Sequence, residues 1–198
     1  MQPKTIIFFG PSGAGKGTQA DVLKAHIETS YPQTPMLSFD GGEEIRSFIK
    51  EHPGAIAQRA AGIINEGNLL PSFIPIWLLS SFLIANYTGK EFLMLDGVRL
   101  LPEFKMLEEA LEFFGAPQMH AIILDVPEDI CRDRLRNRGR KDDLDDEYVS
   151  KRLTWYSTEV LPSIEYLREK DGYYVHDING DQSVEDVQRD IRAALNID

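Results

Sequence analysis

Five stretches of the chain are short, apolar and rich in β-branched or aromatic residues. They are 5–9 (Thr-Ile-Ile-Phe-Phe), 36–39, 92–95 (Phe-Leu-Met-Leu), 121–124 (Ala-Ile-Ile-Leu) and 173–175 (Tyr-Tyr-Val). Short runs that are apolar without alternation predict strands buried on both faces. Between them, apolar positions recur at helical spacing. Ala20, Leu23 and Ile27 mark a helix over 19–29, and Phe104, Leu107, Leu111 and Phe114 mark one over 102–114. Similar patterns fill 43–51, 55–66, 127–138, 146–170 and 183–195, with Pro162 as a point of interruption in the longest. Strand–helix alternation of this kind predicts an α/β fold, a three-layer arrangement of a five-stranded parallel sheet with helices on both faces. No repeat, low-complexity tract or linker divides 1–198, so a single domain is expected.

The stretch 68–89 carries no charged residue, and its core over 73–85 is mostly apolar. Its length suits a membrane span, but Pro71, Ser72, Pro75, Ser80, Ser81 and Asn86 interrupt it. A packed helix is the better reading, with an exposed apolar face used for pairing as the alternative.

Composition narrows the picture without changing it. Of 198 residues, 42% are hydrophobic and 27% charged, which suits a globular chain. A net charge of −11 opposes broad attachment to nucleic acid or anionic lipid. The single cysteine, Cys131, forms no internal disulfide and has no CxxC partner, so it reads as a bland thiol. The four histidines are scattered, and no metal-ligand cluster is expected. No signal-like segment opens the chain, which points to the cytoplasm. The charge is also unevenly spread. Residues 128–152 hold eight acids and eight bases, so the rest of the chain supplies the whole −11.

The strongest chemical signal is Gly10-Pro11-Ser12-Gly13-Ala14-Gly15-Lys16-Gly17-Thr18, which leaves a predicted strand and opens a predicted helix. Glycines let successive backbone N–H groups turn toward phosphate oxygens, and a helix start adds positive potential. Lys16 supplies a reaching cation. Gly17 stands where the common Gly-x4-Gly-Lys-Ser/Thr pattern has a hydroxyl, and Thr18 follows it.

Gly-Lys-Gly-Thr-Gln at 15–19 resembles the phosphate loop of adenylate kinases and related nucleoside monophosphate kinases. The resemblance runs through nearly the whole chain and implies a P-loop NTPase-type fold. It implies ATP contacts at Gly13, Ala14, Gly15, Lys16, Gly17, Thr18, Arg134 and Gly180. Gly41-Gly42-Glu43-Glu44-Ile45-Arg46 is similar to the family's Thr-Gly-Asp-x-Leu-Arg, which makes Gly42 and Arg46 acceptor-binding, with Gly41 in place of the hydroxyl. Gly67-Asn68-Leu69-Leu70-Pro71 resembles Gly-x-Leu-Val-Pro and adds Gly67 and Leu70. Asp96-Gly97-Val98-Arg99 resembles Asp-Gly-Phe-Pro-Arg, one residue shorter and without the proline. It adds Gly97 and Arg99, with Asp96 placed near Mg²⁺ through water and no direct protein ligand to the metal. Glu103 then falls where the family often carries a base-reading Gln. An ionised Glu only accepts hydrogen bonds, which suits guanine better than adenine.

The segment from Arg134 through Arg138, Arg140, Asp142 and Asp143, followed by Arg152-Leu153 and Tyr156, resembles the family's lid motifs. By resemblance Arg138, Arg140 and Arg152 join Lys16 and Arg99 as catalytic cations, and Asp142 and Asp143 hold the lid. Only Gly139 separates Arg138 from Arg140, which matches the short-lid type, and with no CxxC pair in the chain a zinc-bound lid is excluded. The resemblance thus implies an acceptor region over 40–71, a short lid over 137–147, and a cytoplasmic monomer. Its substrates would be ATP, with Mg²⁺, and a nucleoside monophosphate. AMP is the acceptor expected, with CMP/UMP and GMP as alternatives. A nucleotide-binding module with little or no turnover is the rival from another class, motivated by Gly41, Val98 and Glu103.

Overall fold

The computed structural model describes residues 4–116, 118–139, 143 and 145–197. Five strands, β1 (Thr5–Phe9), β2 (Met36–Asp40), β3 (Phe92–Asp96), β4 (Met119–Asp125) and β5 (Tyr173–Asn179), form one parallel sheet in the order β2-β3-β1-β4-β5. The helices are α1 (Lys16–Ser30), α2 (Gly41–Glu51), α3 (Ala55–Asn65), α4 (Phe73–Asn86), α5 (Leu101–Phe113), α6 (Glu128–Arg138), α7 (Asp146–Trp155), α8 (Leu161–Arg168) and α9 (Val184–Leu195). The three-layer α/β arrangement expected from the hydrophobic pattern is the one found.

Consecutive residues of β1 serve opposite faces, which explains why its sequence is apolar throughout. Ile6 and Phe8 pack with Leu23 and Ile27 of α1 and with Ile191 and Leu195 of α9. Ile7 and Phe9 pack with Leu79 and Leu83 of α4, Phe104 and Leu107 of α5 and Ile164 of α8. A third, smaller cluster joins Ala60, Leu70 and Ile74, and ties α3 to the start of α4. The chain leaves β1 toward β2 on one side and crosses from β3 to β4 on the other. The strand order therefore reverses beside β1, and the carboxyl ends there form the crevice where open α/β sheets bind ligands.

Two elements differ from the sequence reading. The long pattern 146–170 is not cut at Pro162. Instead the helix widens into a π-turn over Tyr156–Val160 before α8 begins. Proline at 162 lacks an N–H and its ring would strike the carbonyl four residues earlier, so the backbone upstream relaxes to the wider winding. Helix α2 also starts earlier than its apolar spacing indicates. The Asp40 carboxylate accepts from Gly42 N–H at 2.8 Å and Glu43 N–H at 3.0 Å, and so caps a start made of two glycines.

The uncharged stretch forms α4, which buries Ile74, Leu79 and Leu83 and exposes Phe73, Trp77 and Ile84. No described helix is long and apolar enough to cross a membrane.

Candidate active site

The loop after β1 owes its course to three glycines with positive φ: Gly10 (147°), Gly13 (91°) and Gly15 (94°). At Gly13 a Cβ would lie 2.4 Å from the Cys131 carbonyl oxygen, so only glycine lets the loop pass under α6. Gly15 places α1 with neither a side-chain cap nor an acid in its first turn. The first N–H groups of α1 thus face the crevice with their partial positive charge intact.

Around this loop lies a cavity of about 670 Å³. Six predicted cations line it: Lys16, Arg46, Arg99, Arg134, Arg138 and Arg152. Gly13, Ala14, Gly15, Gly17, Thr18, Gly42, Asp96 and Gly180 line it as well. The cations come from α1, α2, the turn after β3, α6 and α7.

Four of these charges are anchored by protein oxygens. Lys16 Nζ donates to the carbonyls of Gly10 (2.8 Å) and Pro11 (3.0 Å). Burial pushes its ammonium down to about 8; Asp96 opposes that fall, while Arg99 and Arg152 add to it. Arg134 bridges two loops, donating to Ala14 O at 3.4 Å and Gly180 O at 3.0 Å. Arg138 forks onto Asp143 through Nε (2.7 Å) and Nη2 (2.8 Å), and Arg152 Nη1 reaches the same carboxylate at 3.0 Å. The Asp143 side chain is fully buried, and it holds two guanidinium groups that would otherwise repel. Burial also lowers the Arg152 guanidinium from its usual range.

Other predicted residues lie elsewhere. Gly97 and Glu103 line a separate narrow crevice with Phe39, Gly41 and Val98. Glu103 is buried and works at the start of α5, where its Oε2 accepts from Arg99 N–H (2.6 Å) and Leu100 N–H (3.1 Å). Burial raises its carboxyl, and those N–H groups pull it back. Leu70 packs in the small cluster with Ala60 and Ile74. Gly67 turns with φ 74° at the end of α3. Arg140 and Asp142 lie outside the described residues. Cys131 is buried, and its thiol is pushed up to about 11, as befits a bland thiol.

The cavity also contains residues the sequence did not flag: Asp21, Asp40, Trp155, Val160, Gln182 and Val184. Trp155 follows Arg152 by three on α7, so helical spacing from that arginine would have found it.

Among the described residues no group of three metal-ligating side chains occurs. One atom nonetheless suits a hydrated cation. Asp96 Oδ1 is buried at the cavity and accepts no hydrogen bond from the described residues.

A phosphate-type loop at a strand order reversal, facing clustered guanidinium groups, defines a P-loop phosphotransferase. The adenylate kinase family model matches residues 8–172. The chain is 33% identical to adenylate kinase 1 of Nostoc sp. over 191 residues, which covers 96% of this chain and 97% of that one. It is 32% identical to the adenylate kinase of Prochlorococcus marinus over 193 residues (97% and 98%). It is 30% identical to that of Porphyromonas gingivalis over 186 residues (92% and 90%). The chain belongs to the adenylate kinase family, and it is a nucleoside monophosphate kinase.

Proposed function

We propose that the chain transfers the γ-phosphoryl group of Mg-ATP to AMP, yielding two ADP. The observation that carries this reading is the convergence of Lys16, Arg46, Arg99, Arg138 and Arg152 on one cavity beside an uncapped helix start. An oxygen of the acceptor phosphate attacks the γ-phosphorus, and the bond from that phosphorus to the β-phosphate oxygen breaks. No general base is needed, because the attacking oxygen is already ionised. What remains for the protein is positioning and charge stabilisation.

Arg46 and Arg99 hold the acceptor phosphate, since planar guanidinium groups match two phosphate oxygens at once. The α1 N–H groups and Lys16 hold the transferring end of ATP. Arg138 and Arg152 meet the charge that spreads over the γ-phosphoryl oxygens, while Asp143 fixes their spacing. Arg140 and Asp142 take part in the same lid over 137–147, and residues 40–71 form the acceptor side. Arg134 and Gly180 border the donor base. Mg²⁺, carried with ATP, would neutralise phosphate charge near Asp96, whose unpartnered buried oxygen fits a hydrated ion, with Thr18 lining the same cavity. Within this reading the protein acts as a cytoplasmic monomer.

AMP is favoured over GMP because Glu103 already serves the start of α5 through two backbone N–H groups. The test supplies Mg-ATP with AMP, CMP, UMP or GMP and follows ADP formation. Turnover with AMP foremost supports the proposal, and a Glu103→Gln variant with the same order of preference supports the capping role. Preference for GMP, lost in that variant, would give Glu103 back to base reading. ATP binding with no turnover on any acceptor refutes the kinase reading in favour of a binding module.

A further inference from the structure

Helix α7 does two things at once. One side brings Arg152 to Asp143 and the cavity. The other side grips the end of α3. Trp155 Nε1 donates to Gly67 O at 3.1 Å, and Lys151 Nζ donates to Glu66 O at 3.3 Å. A Cβ on Gly67 would lie 3.0 Å from Tyr148 Cδ2, so the tyrosine ring also packs against this turn. Tyr148, Lys151 and Trp155 stand at i, i+3 and i+7, which puts them on one face of the helix.

The turn presents a carbonyl that this face can use. Gly67 N–H bonds Ile64 O at 2.9 Å and Asn68 N–H bonds Ile63 O at 3.0 Å, closing the end of α3 on itself. Those two bonds fix the turn on its own helix and leave the Gly67 carbonyl directed at α7. Trp155 also lines the nucleotide cavity. Its ring therefore forms part of the wall while its N–H holds the turn. Phe would fill similar space, but it has no ring donor.

We propose that Trp155 is a positioning residue for the acceptor nucleotide: its indole N–H holds the Glu66–Asn68 turn in register with Arg152. The acceptor side is thereby tied, across 88 residues of sequence, to the helix that supplies a transfer-site cation. The consequence is selective. Losing the bond loosens the tie between the acceptor turn and α7 but leaves the phosphate loop and α1 untouched. This inference rests on the nucleoside monophosphate kinase reading above.

The test uses the full chain with Trp155→Phe. Calorimetric titrations are run with AMP alone and with ATP alone, beside steady-state KM values for each. The AMP dissociation constant and KM should rise about three- to tenfold, the range expected for one hydrogen bond, while both ATP values stay within about twofold. A purely structural role would instead weaken both nucleotides alike along with the melting temperature. Equal losses, or unchanged AMP affinity, overturn the proposal. A second variant does not disturb the contact at all. Trp77→Phe, at an exposed position of α4, leaves Trp155 as the sole indole, and its emission should shift with AMP. Emission unmoved by saturating AMP also overturns the proposal. A wild type that binds AMP without turning it over refutes the kinase reading alone, since the affinity comparison still stands.

Discussion

Lys16 should exchange a proton when nucleotide binds. In the free protein its ammonium is held by two carbonyls, and burial brings it from an ordinary 10.5 to about 8. That fall is equivalent to about 3 kcal/mol against the charged form. Below about pH 8 both the folded and unfolded chains bind the proton, so the fold carries the whole cost. The cost lifts as pH rises toward 10.5, where the unfolded chain keeps a proton that the native state has lost. A phosphate beside Lys16 supplies the opposite charge that burial removed, and restores the cation.

Binding of ATP should then take up about 0.25 proton at about pH 7.5 and about 0.75 at about pH 8.5, as follows from a pKa near 8. Calorimetric titration with ATP, in buffers of different ionisation enthalpy, reads this number directly. Lys16→Met should remove the uptake, and in wild type kcat/KM for ATP should fall about tenfold per pH unit well above pH 8. Uptake that is absent at the higher pH, or that persists in Lys16→Met, refutes the reasoning.

Two further perturbations probe other parts of the molecule. Asp143→Asn leaves one carbonyl oxygen for two guanidinium groups, and charged hydrogen bonds of about 1.5–3 kcal/mol are at stake. Melting should drop by about 4–10 °C for a chain of this size, with kcat down at least about tenfold. Unchanged melting and turnover would show that Asp143 does not restrain Arg138 and Arg152. The second perturbation concerns the far end of the sheet, where His120 Nδ1 meets His176 Nε2 at 3.1 Å and Lys4 Nζ meets His120 Nε2 at 3.4 Å. Burial, then Lys4 and His176, push His120 down to about 4, and burial and Lys4 lower His176, although Asp177 opposes this. Stability from neutral His120 is thus complete above about pH 6.5 and lost as pH falls toward 4, by about 3 kcal/mol. His120→Gln should flatten that acid limb in denaturant titrations, and parallel pH profiles for variant and wild type would refute the assignment.

The sequence revealed most where local chemistry and long-range structure coincide. Thr5–Phe9 is apolar at every position because both faces are covered, and the glycines after it are required by a turn that the sequence order already places between strand and helix. Both features survive without any knowledge of partners. The start of α2 was legible in principle, since Asp40 precedes Glu43 by three, but two glycines hid it from helical periodicity. The contacts between distant segments left less trace. Trp155 reaches Gly67 across 88 residues, Arg134 reaches Gly180 across 46 and His120 reaches His176 across 56. None of these pairs follows a helical or strand period, because each joins separate elements through the fold. Pro162 announced an irregularity but not its form. Whether a helix breaks or widens depends on what packs around it, and here Val160 and Ile164 are both buried in the sheet-facing cluster.

The clustered cations of a chain with net charge −11 pose an electrostatic problem that the fold solves with oxygen. Lys16 is bound to carbonyls of Gly10 and Pro11, Arg134 to those of Ala14 and Gly180, and Arg138 and Arg152 to the Asp143 carboxylate. The donors are therefore already directed before any phosphate arrives. A phosphate near Lys16 replaces neutral carbonyl acceptors with charged ones, and the gain is the difference between the two kinds of bond. Asp143 is different, since it carries its own charge and remains with its arginines. The site thus separates Lys16, which trades partners on binding, from Arg138 and Arg152, which are held at a fixed spacing. That division suits phosphoryl transfer. The lysine rewards nucleotide binding, and the arginine pair keeps its geometry when charge moves from one phosphate to the next.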